Sequence, residues 1–199
     1  MKIYISKTDH LENDDIFKKL YNEASIERRE KIDRLKFKKN KIQSLASWHL
    51  LKDALYEHSL DIKKLEFYYN KHGKPFIKDK NIYFSLSHSE NRVMCAIDKN
   101  PVGCDVEKIK SRDISSLINV FTPSEKEIIG NNVELFYEMW TYKESYIKLK
   151  GESIKNLKDF EIVKEDNIFK ISQNRDKNNY CLKKTDLNDG YIYSYCFIE

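Results

Sequence analysis

With 199 residues, 40% of them hydrophobic and 13% aromatic, the chain is large and apolar enough to bury a core, which excludes global disorder. No apolar run reaches the roughly 18 residues of a membrane span, and the opening M-K-I-Y-I-S-K-T-D-H lacks a signal-peptide core, so a soluble cytoplasmic protein with no membrane contact is expected. The net charge of +4 is placed unevenly, and its meaning is local.

In chain order, residues 2–6 read as a short strand, followed by an acidic turn and a helix over 11–21. Residues 28–41 then carry eight basic side chains against two acidic ones, a local charge of +6. Such a cluster is a solvated helix face, a nucleic-acid footprint or a site for a small polyanion. Against nucleic acid, no helix-turn-helix or RNP-like strand follows, and the only aromatic beside the cluster is Phe37. A longer helix over 40–58 shows the apolar stripe Leu45, Trp48, Leu51, Leu55 and Tyr56, with Ser44 near its start.

Residues 65–69 read as a strand, and N-K-H-G-K-P-F is a turn punctuated by Gly73 and Pro75. A strand over 82–86 ends in S-H-S, placing His88 just beyond it as either a loop histidine or a site residue. Another strand spans 92–97, and D-K-N-P turns the chain into V-G-C-D-V-E.

In that last segment strand alternation puts Val102, Cys104 and Val106 on one face and Gly103, Asp105 and Glu107 on the other. Two carboxylates side by side repel unless a cation lies between them, and Gly103 leaves room for a ligand. The pair is a metal half-site or an exposed acidic edge. With only oxygen donors at hand, the metal expected is Mg²⁺, or Mn²⁺. The four cysteines, Cys95, Cys104, Cys181 and Cys196, lie in apolar strand-like runs without a C-x-x-C pair and read as reduced core residues.

T-P-S-E at 122–125 has the form of a capping box with Pro at the first helical position. W-T-Y-K-E-S-Y-I-K-L-K-G then reads as the last three turns of a helix capped by Gly151, with Leu135, Phe136, Met139, Trp140 and Ile147 on one buried face. Trp140, Glu144 and Lys148, four apart, form a row. Glu144 and Lys148 are either a solvated i,i+4 ion pair or a charged rim meeting the D-V-E strand. Two hairpins close the chain, one over 160–172 around K-E-D-N, the other joining 180–186 to 191–198 through L-N-D-G. Tyr191, Tyr193, Tyr195 and Phe197 share a face of the last strand, assigned to the core.

Four blocks in this order and spacing, G-K-P at 73–75, F-S-L-S-H-S at 84–89, V-G-C-D-V-E at 102–107 and W-T-Y-K-E-S-Y-I-K at 140–148, resemble the Sfp-type 4′-phosphopantetheinyl transferases. The resemblance implies an α+β fold of two pseudo-twofold α/β-type lobes with the ligand cleft between them, drawn here as 1–100 and 101–199, in a monomer. It implies transfer of phosphopantetheine from coenzyme A to a serine of an apo acyl or peptidyl carrier protein, with release of 3′,5′-ADP.

Carried over by residue, the metal ligands fall on Asp105, Glu107 and Glu144, and the nucleotide phosphate contacts on Arg28, Lys31, Lys74, Ser87 and His88, with Ser44 near the 3′-phosphate. Lys148 falls at the pyrophosphate, and Glu144 becomes the acceptor of the serine proton. The region 108–121, including Phe121, is the expected carrier-receiving surface. Cys104 stands where the family carries a β-branched residue, and Arg28 where lysine is common. Two other readings differ in class: a coenzyme A-binding relative without turnover, and a nucleic-acid-binding, metal-dependent phosphodiesterase.

Overall fold

The computed structural model describes residues 1–172 and 178–199. β1 (Lys2–Lys7) leads through a 3-10 turn into α1 (Asp14–Glu23), α2 (Ile26–Asp33) and α3 (Lys38–Glu57). β2 (Phe67–Tyr69) and β3 (Pro75–Ile77) form a two-stranded ribbon, and β4 (Tyr83–Ser89) and β5 (Arg92–Asp98) follow. Next come β6 (Val102–Lys108), α4 (Pro123–Ile129), α5 (Val133–Lys150), β7 (Glu161–Glu165), β8 (Ile168–Ser172), β9 (Tyr180–Thr185) and β10 (Tyr191–Ile198). One sheet has the order β1-β5-β4 and the other β6-β10-β9-β8-β7, with every strand pair antiparallel. The class is α+β, as expected. Among the described residues, no helix is long and apolar enough to cross a membrane.

β5 explains how the sheets stack. Its sequence R-V-M-C-A-I-D is an unbroken apolar run because both of its faces are covered. Val93, Cys95 and Ile97 pack with Leu45, Trp48, Leu51 and Leu55 of α3. On the other side Met94 and Ala96 meet Val102, Cys104 and Val106 of β6 and Tyr191 and Tyr193 of β10. Of the aromatic face of the last strand, Tyr191 and Tyr193 are therefore core, the core shared by the two sheets, with the partly buried Tyr195 packed against it, while Phe197 is half-buried at its end. Cys104 is fully buried there, its thiol directed at the Ser85 carbonyl, and all four cysteines are free.

Several boundaries differ from the sequence reading, each for a local reason. The first helix starts at Asp14, not residue 11, because the Asn13 side chain accepts from the amides of Asp15 and Ile16 and leaves Leu11 in the 3-10 turn. The strand expected from residue 65 starts at Phe67, behind a 3-10 turn capped by Asp61. Tyr56 is 80% exposed, off the stripe of α3. S-H-S lies inside β4, where Ser87, His88 and Ser89 pair with Met94, Val93 and Arg92.

α5 departs most from its expected pattern. Buried residues occur on nearly all its sides, because Thr141 and Ser145 face β6 and β10 while Phe136, Met139 and Tyr146 pack under the sheet's far end. The row Trp140, Glu144, Lys148 is its least buried stripe. The capping box at Thr122 and Glu125 is present. Glu125 also accepts from the fully buried Lys143 ammonium at 2.5 Å and from the Ile162 amide at 2.8 Å, fixing α4 and β7 to α5. Phe121, expected to receive a carrier protein, is instead buried edge-on against Phe136, so it offers no surface.

Candidate active site

The site forms where the two sheets meet. Along β4, alternate serines point at β6 and take the place of a neighbouring strand. Ser85 Oγ accepts from the Cys104 amide at 3.0 Å, Ser87 Oγ from the Val106 amide at 3.3 Å, and Ser89 Oγ from the Lys108 amide at 3.2 Å. Two of these hydroxyls also donate to the carboxylates on that strand: Ser87 to Asp105 Oδ1 at 2.7 Å and Ser89 to Glu107 Oε2 at 2.8 Å.

α5 lies across β6 at Gly103. A Cβ there would fall 1.8 Å from the Ser145 carbonyl oxygen and 2.5 Å from the Leu149 amide nitrogen. The room that Gly103 provides is occupied by the helix backbone, not by a ligand as its place in the motif suggested. Small side chains continue the close approach, with Thr141 Oγ1 2.7 Å from Ser194 Oγ of β10. Seated so tightly, α5 turns the row Trp140, Glu144, Lys148 toward Asp105 and Glu107.

These five residues line one cavity of about 380 Å³ together with Leu86, Ser87, His88 and Ile154. The Lys148 ammonium donates to Asp105 Oδ1 at 2.6 Å and to Ser87 Oγ at 2.9 Å. Burial lowers its proton affinity, but Asp105 and its other neighbours outweigh that and hold its pKa above the usual lysine value. Burial, then the charge of Asp105, raises Glu107 above the usual carboxylate range and Glu144 to about 7.

Three carboxylates crowded until two resist ionisation suit a hard cation. Asp105 Oδ2 and Glu144 Oε1 are buried without a hydrogen-bond partner among the described residues, two oxygens in need of one. Among the described residues, no three His, Cys, Asp or Glu side chains already stand at the separation that holds a metal ion. The donor set fits Mg²⁺ in kind, and the Lys148 ammonium at present satisfies part of its charge.

A second pocket of about 540 Å³ adjoins the first through Leu86. Arg28, Lys31, Trp48 and Tyr69 line it. The Arg28 guanidinium lies 4.9 Å from the Trp48 ring centroid and donates to Ser44 Oγ at 3.3 Å, while the Lys31 ammonium stands 5.7 Å from the Tyr69 ring centroid. Burial, and then Arg28, lowers the pKa of Lys31. Like charges gathered in a half-buried aromatic pocket suit an anion with a flat ring attached.

Arg28, Lys31 and Ser44 are thus brought together, as are Asp105, Glu107, Glu144, Lys148, Ser87 and His88. Lys74 lines a smaller adjoining cavity with Leu86 and Lys148, but its ammonium is engaged with main-chain carbonyls. Of the other six basic residues of the cluster, three pair within the chain, Arg34 with Glu30, Lys38 with Asp14 and Glu12, Lys39 with Glu90. Ser85 and Ser89 escaped the sequence reading. Their signal was the period-two spacing of serines in S-L-S-H-S, which marks a strand with one polar face.

The model of the 4′-phosphopantetheinyl transferase superfamily matches residues 101–196. The 4′-phosphopantetheinyl transferase gsp of Aneurinibacillus migulanus is 35% identical over 64% of this chain and 56% of its own length. A 4′-phosphopantetheinyl transferase of Bacillus subtilis is 31% identical over 66% of this chain and 62% of its own length. For these two relatives the match spans less than two thirds of the protein. The 4′-phosphopantetheinyl transferase Sfp of Bacillus subtilis (strain 168) is 28% identical over 98% of this chain and 92% of its own length.

Proposed function

The chain belongs to the 4′-phosphopantetheinyl transferase superfamily, and from that premise we propose that it moves the phosphopantetheine arm of coenzyme A onto a serine of an apo acyl or peptidyl carrier protein. The observation that supports this reading best is the meeting of Asp105 and Glu107 on β6 with Glu144 and Lys148 on α5, one cavity away from the Arg28 and Lys31 pocket. The basic pocket takes the nucleotide, with Trp48 and Tyr69 against its base and Arg28, Lys31 and Ser44 on its 3′-phosphate. Ser87, His88 and Lys148 hold the pyrophosphate at the junction of the two cavities. Asp105, Glu107 and Glu144 would hold Mg²⁺ or Mn²⁺, which supplies neutralisation of the pyrophosphate charge.

In the reaction the carrier serine oxygen attacks the phosphorus bearing pantetheine. The bond from that phosphorus to the bridging oxygen of the ADP portion breaks, and 3′,5′-ADP leaves. Negative charge grows on the bridging oxygen, where the Lys148 ammonium donates to it. Glu144 accepts the serine proton, directly or through a water. The residues divide into a lobe of 1–100 that contributes the nucleotide contacts and a lobe of 101–199 that contributes the carboxylates, in a monomer working in the cytoplasm.

Ligand-dependent melting tests the reading. Coenzyme A with Mg²⁺ should raise the Tm by several degrees, coenzyme A with EDTA by much less, and duplex DNA not at all. A rise with DNA that collapses as salt increases would favour a nucleic-acid binder.

The proton on Glu144 gives a second expected result. A carboxyl held near pH 7 when folded, against its ordinary value when unfolded, binds protons more tightly in the folded state. Its contribution to stability is therefore present at low pH and fades as pH rises toward 7. Binding of Mg²⁺ requires the ionised form, so protons should be released at pH 6, from Glu144 and from the likewise raised Glu107, and fewer as pH rises. Calorimetry in two buffers of different ionisation enthalpy reads this release, and equal heats in both buffers at pH 6 would contradict it.

A further inference from the structure

The last carbonyls of a helix lack intrahelical partners and carry the negative end of its dipole. At the end of α5 part of this need is met locally. Gly151, in the left-handed region at φ +67, and Glu152 donate their amides back to Lys148 and Ile147.

The remaining partners come from the other half of the chain. Lys74 Nζ donates to the Lys148 carbonyl at 2.5 Å, the Leu149 carbonyl at 3.1 Å and the Val102 carbonyl at 3.3 Å. Asn70 Nδ2 donates to the Gly151 carbonyl at 2.7 Å, while Asn70 Oδ1 accepts from the amides of His72 and Lys74 and so shapes the turn that presents the lysine. Gly73, at φ +82, completes that turn. An ammonium has three protons, and three carbonyl oxygens stand within hydrogen-bonding distance to take them. None is left for a phosphate. Burial also pushes the Lys74 pKa down to about 8, as expected for a cation enclosed by the seam between the sheets.

We propose that Lys74 is a positioning residue: it caps α5 from across the seam, binds that helix end to the start of β6, and thereby fixes Lys148 and Glu144 relative to Asp105. The inference rests on the function proposed above only for its kinetic consequence. Lys148 is the point of coupling, since Lys74 holds its carbonyl while its own ammonium reaches Asp105 and Ser87. A helix end released by about an ångström would misplace the ammonium at the breaking bond.

The test compares wild type with Lys74→Met, which keeps the length of the stem and removes the donors. The amides of Gly151 and Glu152 should exchange with deuterium at least about tenfold faster in the variant. Affinity for coenzyme A, or for 3′,5′-ADP as a probe, should stay within about threefold, and kcat should fall by roughly 10- to 100-fold with KM for coenzyme A little changed. Affinity lost by more than about tenfold with helix-end exchange unchanged would overturn the proposal and return Lys74 to the phosphate. Should the wild type show no transfer at all, the functional reading fails, and the exchange rates still decide the role of Lys74. Should Lys74→Met not fold, the wild type suffices: the Lys74 ammonium resonance should be slowly exchanging and unmoved by coenzyme A, and a large shift on adding it would refute the cap.

Discussion

Asp105→Asn is expected to lower the rate of phosphopantetheine transfer by about 10³-fold while leaving the fold intact. Asparagine has the same shape and still accepts from Ser87, so the serine seam between β4 and β6 survives. What disappears is one negative charge from the centre of the site. Lys148 loses its ion pair, and in the orientation that keeps the Ser87 bond the orphaned Oδ2 is replaced by an amide NH2, a donor without charge that cannot hold a cation.

The pH dependence should move as well. The Asp105 charge is, after burial, the main reason that the Glu144 carboxyl titrates near 7, so the variant's Glu144 should titrate lower. Residual activity should then rise through its acidic limb at lower pH than in the wild type. Calorimetry should find Mg²⁺ affinity reduced at least tenfold. A variant keeping a tenth of the wild-type rate would remove Asp105 from the proposed metal site.

Gly103→Ala should cost more than about 3 kcal/mol of stability, although it adds a single methyl group. The new Cβ would overlap the Ser145 carbonyl oxygen and the Leu149 amide nitrogen, both of them main-chain atoms of a helix fixed elsewhere by the buried Lys143–Glu125 pair and the Lys74 cap. No side chain can swing away to relieve the contact. Either β6 or α5 must retreat by more than an ångström, and each carries half of the site. Urea unfolding reads the loss, and any folded fraction should be at least about 10²-fold slower in transfer, through misplacement alone. A stable, active Gly103→Ala protein would show that α5 does not lie against β6 as described.

Much of this was legible in the sequence because the physics was local. Alternation in V-G-C-D-V-E put both carboxylates on the correct face, the row at 140, 144 and 148 was correct, and Thr122 and Glu125 announced their capping box. The unread parts depend on distant partners. Burial of α5 on almost every side comes from two sheets meeting around it, which no helical period records. The serine seam leaves no apolar pattern, so S-H-S reads as the end of a strand when it is the part of β4 that meets the carboxylates of β6. Lys74 is a phosphate contact only by the family resemblance of G-K-P, and nothing in that turn marks the helix end, 74 residues onward, whose carbonyl it meets. Phe121 is assigned to the carrier-receiving region by resemblance, and its burial depends on Phe136, a partner on a different element.

The central claim, transfer of phosphopantetheine by the cluster on β6 and α5, is tested most directly by intact-protein mass spectrometry of apo carrier proteins incubated with this protein, coenzyme A and Mg²⁺, with an EDTA control. The expected result is a carrier heavier by one phosphopantetheine group on its serine, formed with Mg²⁺ and not with EDTA. Unmodified acyl and peptidyl carriers, in the presence of a protein that still binds coenzyme A, would contradict it and leave a binding relative without turnover.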